Sequence, residues 1–165
     1  MPRLFALTVS VGVLAVVATW LFGLTPLVSM KLQVWQAFIA WGCHFHSGGK
    51  ITGTRNTVVC MIFGALVGAG AALLSGHLGS LGSLAVPVAV GLGAALICLA
   101  SSVSLLATIP ASVYGFAAIF GLIGLGSVAP VDAIVPTALS VIIGAAFGYV
   151  SEMVADALTK QDAAA

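Results

Sequence analysis

Trp35-Gln36-Ala37-Phe38-Ile39-Ala40-Trp41-Gly42-Cys43-His44-Phe45-His46-Ser47-Gly48-Gly49-Lys50 is where this chain departs from plain membrane-spanning hydrocarbon. The run holds aromatic residues, a thiol, two imidazoles and a Gly-Gly break, and it belongs to an apolar segment, Leu32 to His46, of unusual brevity. As a helix rising about 1.5 Å per residue, that segment covers roughly 22 Å, against a hydrocarbon core of roughly 30 Å. Either it spans, with Lys31 snorkelling or an end unwound inside the protein, or it dips in and returns as a re-entrant loop. The choice fixes whether the chain crosses six times or five.

Composition makes a bilayer the solvent. Of 165 residues 61% are hydrophobic and 5% charged, with a mean hydropathy of +1.25. A soluble domain of this length has no interior large enough for that much apolar surface. A formal net charge of +1 offers no basic face, so nucleic acid is excluded as a partner. Cys43, Cys60 and Cys98 are too scattered for a disulfide framework or a paired metal motif, and Cys60 and Cys98 read as small core hydrophobes. Leu4 to Leu24 is longer than a signal-peptide core and lacks a small-x-small cleavage site, so it reads as a retained helix.

The resulting fold class is an all-α membrane protein with six transmembrane helices in a single domain, residues 1–165. The segments are Leu4–Leu24, Leu32–His46, Thr57–Ser75, Leu84–Leu106, Thr108–Gly126 and Pro136–Leu158, with a polar and alanine tail over 159–165. Short connections imply one compact bundle. Six crossings with a cytoplasmic amino terminus put Arg3, Lys50, Arg55 and Lys160 inside and only Lys31 outside, as the positive-inside rule requires. Five crossings would separate Arg3 from Lys50 and Arg55, so six fit better. Both termini are then cytoplasmic.

The halves resemble one another. Thr57, Gly64, Ala65 and Gly68 recur 80 positions later as Thr137, Gly144, Ala145 and Gly148. The same register sets Cys60, Gly64, Gly68 and Ala72 against Ser140, Gly144, Gly148 and Glu152, two small-residue seams of the kind that let membrane helices approach closely. Upstream, Trp35–Phe45 lies on Pro110–Phe120 with a displacement of 75, and Val11-Gly12 matches Val90-Gly91. The expectation is two three-helix repeats, about 4–76 and 84–158. Three is odd, so the second enters the membrane from the other side, an inverted pair with a pathway between its members.

The segment Phe38 to Phe45, with Gly48-Gly49-Lys50 and Gly53, resembles the small bacterial inner-membrane proteins grouped as DUF1097, and Ile109-Pro110-Ala111-Ser112-Val113-Tyr114-Gly115 is similar to that family's second recurring element. The resemblance covers nearly the whole chain and implies a bacterial inner (cytoplasmic) membrane location. It implies no activity.

His44 and His46 are the only imidazoles within an expected span, and ionisable groups there are functional candidates. Residues two apart on a continuous helix face nearly opposite ways, so the two cannot grip one ion unless the chain unwinds before Ser47 and lets Cys43, His44 and His46 converge. A third and fourth ligand are not evident, and no metal or other cofactor is expected. Phe38, Trp41 and Phe45 share a face by spacing and are candidates for lining a constriction, with Tyr114 and Phe116 as counterparts. Thr57 and Thr137 are either pathway hydroxyls or helix N-caps. Glu152, on its seam one turn before Asp156, is either a proton or cation vestibule or a solvated helix end balancing Lys160. No catalytic constellation is present, so the chain is not read as an enzyme.

The expected function is a channel or facilitator for a small polar solute, working as a homo-oligomer among membrane lipid. Pathway candidates are Phe38, Trp41, Cys43, His44, Phe45, His46, Thr57, Tyr114, Phe116, Thr137 and Glu152; Gly64, Gly68, Gly144 and Gly148 serve helix packing. The rivals are a proton-coupled small-molecule transporter using His44 or Glu152, and a non-transporting accessory subunit whose glycine seams bind other helices.

Overall fold

The computed structural model describes the backbone of residues 1–162 and the side chains of residues 1–159; the predicted tail beyond Thr159, Lys160 included, lies outside the described side chains. The helices are α1 (Arg3–Phe22), α2 (Thr25–Ser29), α3 (Val34–His46), α4 (Lys50–His77), α5 (Ala85–Ala100), α6 (Ile109–Gly126) and α7 (Ile134–Asp162), with 3₁₀ turns at Gly79–Leu84 and Ser104–Leu106. Prolines set several starts. Pro26, Pro87, Pro110 and Pro136 each stand in the first turn of α2, α5, α6 or α7, where the missing N–H has no helical acceptor to lose.

Five helices are long and apolar enough to cross a membrane: Arg3–Phe22, Lys50–His77, Gly79–Ala100, Ile109–Gly126 and Ile134–Thr159. The second expected segment is helical, but α3 has 13 residues and rises only roughly 20 Å. It is not lengthened at its start, because Lys31 has φ 58° and Gln33 is extended, while residues 25–29 form the separate helix α2. Two boundaries differ from expectation. α4 begins at Lys50, seven positions before Thr57, because Gly49 releases the chain directly into a new helix; α5 stops at Ala100 instead of Leu106. Thr57 and Thr137 consequently lie inside helices and cap neither.

The two longest helices, α4 and α7, form the centre. α6 lies against α4 and α3 against α7, in both cases with backbones touching. A methyl group at Gly64 would fall on the Ser112 carbonyl, one at Gly115 on Met61, and one at Gly144 on Ala37. Only glycine permits these approaches.

Contact order gives the helix directions. Gly64 meets Ser112 and Gly68 meets Phe116 and Ile119, so α4 and α6 run the same way; Gly144 meets Ala37 and Gly148 meets His44, so α7 and α3 do too. The three-residue turn 47–49 reverses the chain between α3 and α4. α1 runs against α7, since Arg3 reaches Asp156 (3.8 Å) and Ser10 donates to the Ser151 carbonyl (2.8 Å). With α5 folded back on α4, α1, α4 and α6 point one way and α3, α5 and α7 the other. The core lies in the seams: Ala40, Cys43, Cys60, Met61, Ala111 and Val141 cluster on one side, Ala65, Ala69, Ile119 and Leu122 on the other. Cys98, expected in the core, is exposed on α5.

Candidate functional site

α3 divides the expected site residues between its two sides. Phe38, Ile39, Gly42, Cys43 and His46 line one side of a recess of about 430 Å³, and Tyr114 and Ala117 of α6 line the other. Cys43 is almost wholly buried at its base, with its sulfur 3.6 Å from the Ser47 hydroxyl. The His46 ring meets Tyr114 edge-on, centroids 5.9 Å apart. Gly42 opens onto this space: a methyl group there would find nothing within 4 Å. The lining is mostly apolar, with the imidazole, phenol and thiol as its polar groups.

On the opposite side of α3, against α7, the His44 ring is fully buried. Its Nε2 lies 3.2 Å from Glu152 Oε2 and its Nδ1 lies 3.1 Å from the Thr54 hydroxyl. Glu152 also accepts the backbone N–H of Lys50, the first residue of α4, and lies 3.7 Å from Arg3. A carboxylate at the positive end of α4 is electrostatically favourable. The turn is shaped for it: Gly48, Gly49 and Lys50 all have positive φ, and a methyl group at Gly49 would stand 2.9 Å from both Glu152 oxygens. One side chain of α7 thus ties together α1, α3 and the start of α4.

The remaining candidates are dispersed. Of Phe38, Trp41 and Phe45, Phe38 alone borders the recess, and it stacks on Trp41 with ring centroids 5.6 Å apart. Trp41 turns into the α3–α7 seam, stacking on Phe147 (5.5 Å) and donating its indole N–H to Ser151 (3.0 Å), while Phe38 and Phe45 are 40% and 36% exposed. A three-and-four spacing spreads over enough of the helix surface for its middle member to be buried and its outer members not. Phe116 packs against Phe120 (5.1 Å) and beside Gly68 and Gly93, away from the recess. Thr137 is buried and accepts from the Gln36 amide (3.0 Å), which also donates to the Ala118 carbonyl (2.9 Å). Thr57 is buried beside the Cys43 thiol, and among the described residues Gln36 Oε1 has no hydrogen-bond partner. Among the described residues no three His, Cys, Asp or Glu side chains gather as a metal site would need.

Sequence reasoning passed over Gln36, Arg3, Thr54 and Ser151. Gln36 carried a usable signal, since an amide within an apolar run must find buried partners. Arg3 and Ser151 carried none, because their partners Glu152, Ser10 and Trp41 lie on distant helices, and Thr54 reads as an ordinary residue of a helix surface.

Fold and site together define an all-helical protein with several membrane-spanning helices, small-residue seams and ionisable groups gathered at one end. Residues 8–156 match the family described as "Protein of unknown function (DUF1097)", and the chain belongs to that family. No curated protein and no solved structure matches it.

Proposed function

We propose that this protein is a six-span membrane facilitator for a small polar solute, built from two inverted three-helix repeats, with α3 as its short sixth span. In this reading the solute passes along the recess between α3 and α6. The observation that carries it is the position of that recess. Ile39 and Tyr114, and likewise Gly42 and Ala117, are 75 positions apart, so the recess is lined by matched pairs from the two halves.

The contacts support the repeat in the same registers. Gly64 on Ser112 corresponds to Gly144 on Ala37, and Gly68 on Ile119 to Gly148 on His44, each glycine displaced by 80 and each partner by 75. The opposed directions of α1, α3, α4 and α5, α6, α7 suit an inverted pair. Arg3, Lys50 and Arg55 at one end, with Lys31 towards the other, argue for a cytoplasmic location of that end, in a bacterial inner membrane. Because the recess opens on the flank of the bundle, a second copy would wall it from lipid, which favours a homo-oligomer.

A stopped-flow swelling assay on proteoliposomes with urea, small amides, glycerol and weak acids tests the reading. Wild type is expected to pass at least one of these solutes, and Gly42→Phe, which fills the recess without a backbone clash, to reduce that flux at least about tenfold with folding intact. Absence of flux for every solute, together with a stable complex with a larger membrane protein, would replace this reading with the accessory one. Saturable, pH-gradient-driven uptake lost in His44→Ala would replace it with coupled transport.

A further inference from the structure

His44 is turned away from the recess, yet both of its ring nitrogens have polar partners inside the bundle. The detail that matters is Thr54. Its hydroxyl has one hydrogen and two acceptors within reach, the Lys50 carbonyl at 2.9 Å and His44 Nδ1 at 3.1 Å. With a neutral imidazole protonated at Nε2, the ring donates to Glu152 while Thr54 donates to the bare Nδ1. With an imidazolium, both nitrogens donate, Nε2–H to Glu152 and Nδ1–H to the Thr54 oxygen, whose hydrogen turns to the Lys50 carbonyl. Both protonation states are satisfied by the same heavy atoms, and they differ in one hydroxyl rotation and one charge. A histidine kept only for packing has no need of a partner that can both give and accept.

Groups of both signs surround the ring. α7 contributes Glu152 and Asp156, and α1 contributes Arg3, 3.7 Å from the first and 3.8 Å from the second. α4 contributes the Lys50 N–H and the Thr54 hydroxyl, and α3 itself contributes the Phe45 ring, 5.2 Å away. A proton on His44 turns the Nε2–H bond to the Glu152 carboxylate, in which only the acceptor was charged, into a hydrogen bond between opposite charges. Thr54 is partly exposed and Glu152 is 12% exposed, so the enclosed ring can exchange protons with water at this end of the molecule.

We infer that His44, Thr54 and Glu152 form a proton-binding site, independent of the solute recess, in which a proton taken from water onto Nδ1 tightens the junction of α1, α3, α4 and α7. The site binds the proton whether or not solute movement is coupled to it.

The test uses the full chain in lipid nanodiscs, with histidine ring nitrogens labelled with ¹⁵N and spectra recorded between about pH 4.5 and 8.5. The expected result is a ring that holds its hydrogen on Nε2 at the alkaline end, becomes doubly protonated as pH falls, and is missing from the spectrum of His44→Asn. Amide exchange read in parallel, corrected for intrinsic rates, should show Lys50 about fivefold more protected once the ring is charged. In His44→Asn that pH response should vanish. In Thr54→Val, which keeps Glu152 and the helix start intact, the transition should move to a different pH. A wild-type ring that keeps one protonation state across the range, or carries its hydrogen on Nδ1 at the alkaline end, overturns the assignment. So does a Lys50 response identical in wild type and His44→Asn.

Discussion

The two glycine seams are built alike and end differently. On α4, Gly64 and Gly68 receive Ser112 and Ile119 of α6; on α7, Gly144 and Gly148 receive Ala37 and His44 of α3. Four residues past the second glycine, the first seam has Ala72 and the second has Glu152. Where one seam closes on an isoleucine over small apolar residues, the other closes on an imidazole and a carboxylate joined at 3.2 Å. Close packing therefore does not require the polar pair. The shared glycines do the holding, and ionisable chemistry has been set into one copy of a frame that also closes without it.

The strongest way to break this comparison is to attack the shared part. Gly64→Leu and Gly144→Leu each drive a side chain into a carbonyl of the facing helix, and each is expected to cost about 3 kcal/mol or more, removing most folded protein. Size-exclusion profiles and helical circular dichroism after mild detergent extraction would check it. If only one of the pair were severe, the seams would not be equivalent.

A finer test dries the polar seam. His44→Ile leaves Glu152 without its buried partner and should lower stability by about 2–3 kcal/mol. Adding Glu152→Ala reproduces the residue types of the other seam and should recover part of that loss, with a coupling of about 1–3 kcal/mol in mixed-micelle unfolding curves. Strict additivity would mean that the two side chains do not act as a pair.

The smallest effect concerns the residue one turn before each first glycine. Ser140 accepts the Gln33 N–H at 3.0 Å, whereas Cys60 makes only a 3.6 Å contact with the Leu105 carbonyl. Ser140→Cys should cost about 1 kcal/mol and Cys60→Ser less than about half of that, read from the same curves, because sulfur is the poorer hydrogen-bonding atom.

What the sequence made legible follows from these physics. Small residues four apart announce a close approach, so Gly64, Gly68, Gly144 and Gly148 stand out without knowledge of their partners. Hydropathy likewise finds the long apolar helices unaided. The junction at Glu152 was not readable, because it depends on Arg3 and Thr54 arriving from helices far away in the chain, and a lone carboxylate near a helix end looks like a solvated one. The start of α4 was hidden for a similar reason. Lys50, Arg55 and Asn56 are polar enough to suggest a loop, yet a Gly-Gly turn and the Glu152 carboxylate let the helix begin there.

The link at Gly79–Leu84 buries none of its residues, and at its centre Gly82 has a φ of 56°. It is a tether on the outside of the bundle. Every surface that joins α4 to α6, α7 to α3 and α1 to α7 lies away from this link, so a chain cut there is expected to keep its two pieces together by fit instead of by covalent continuity.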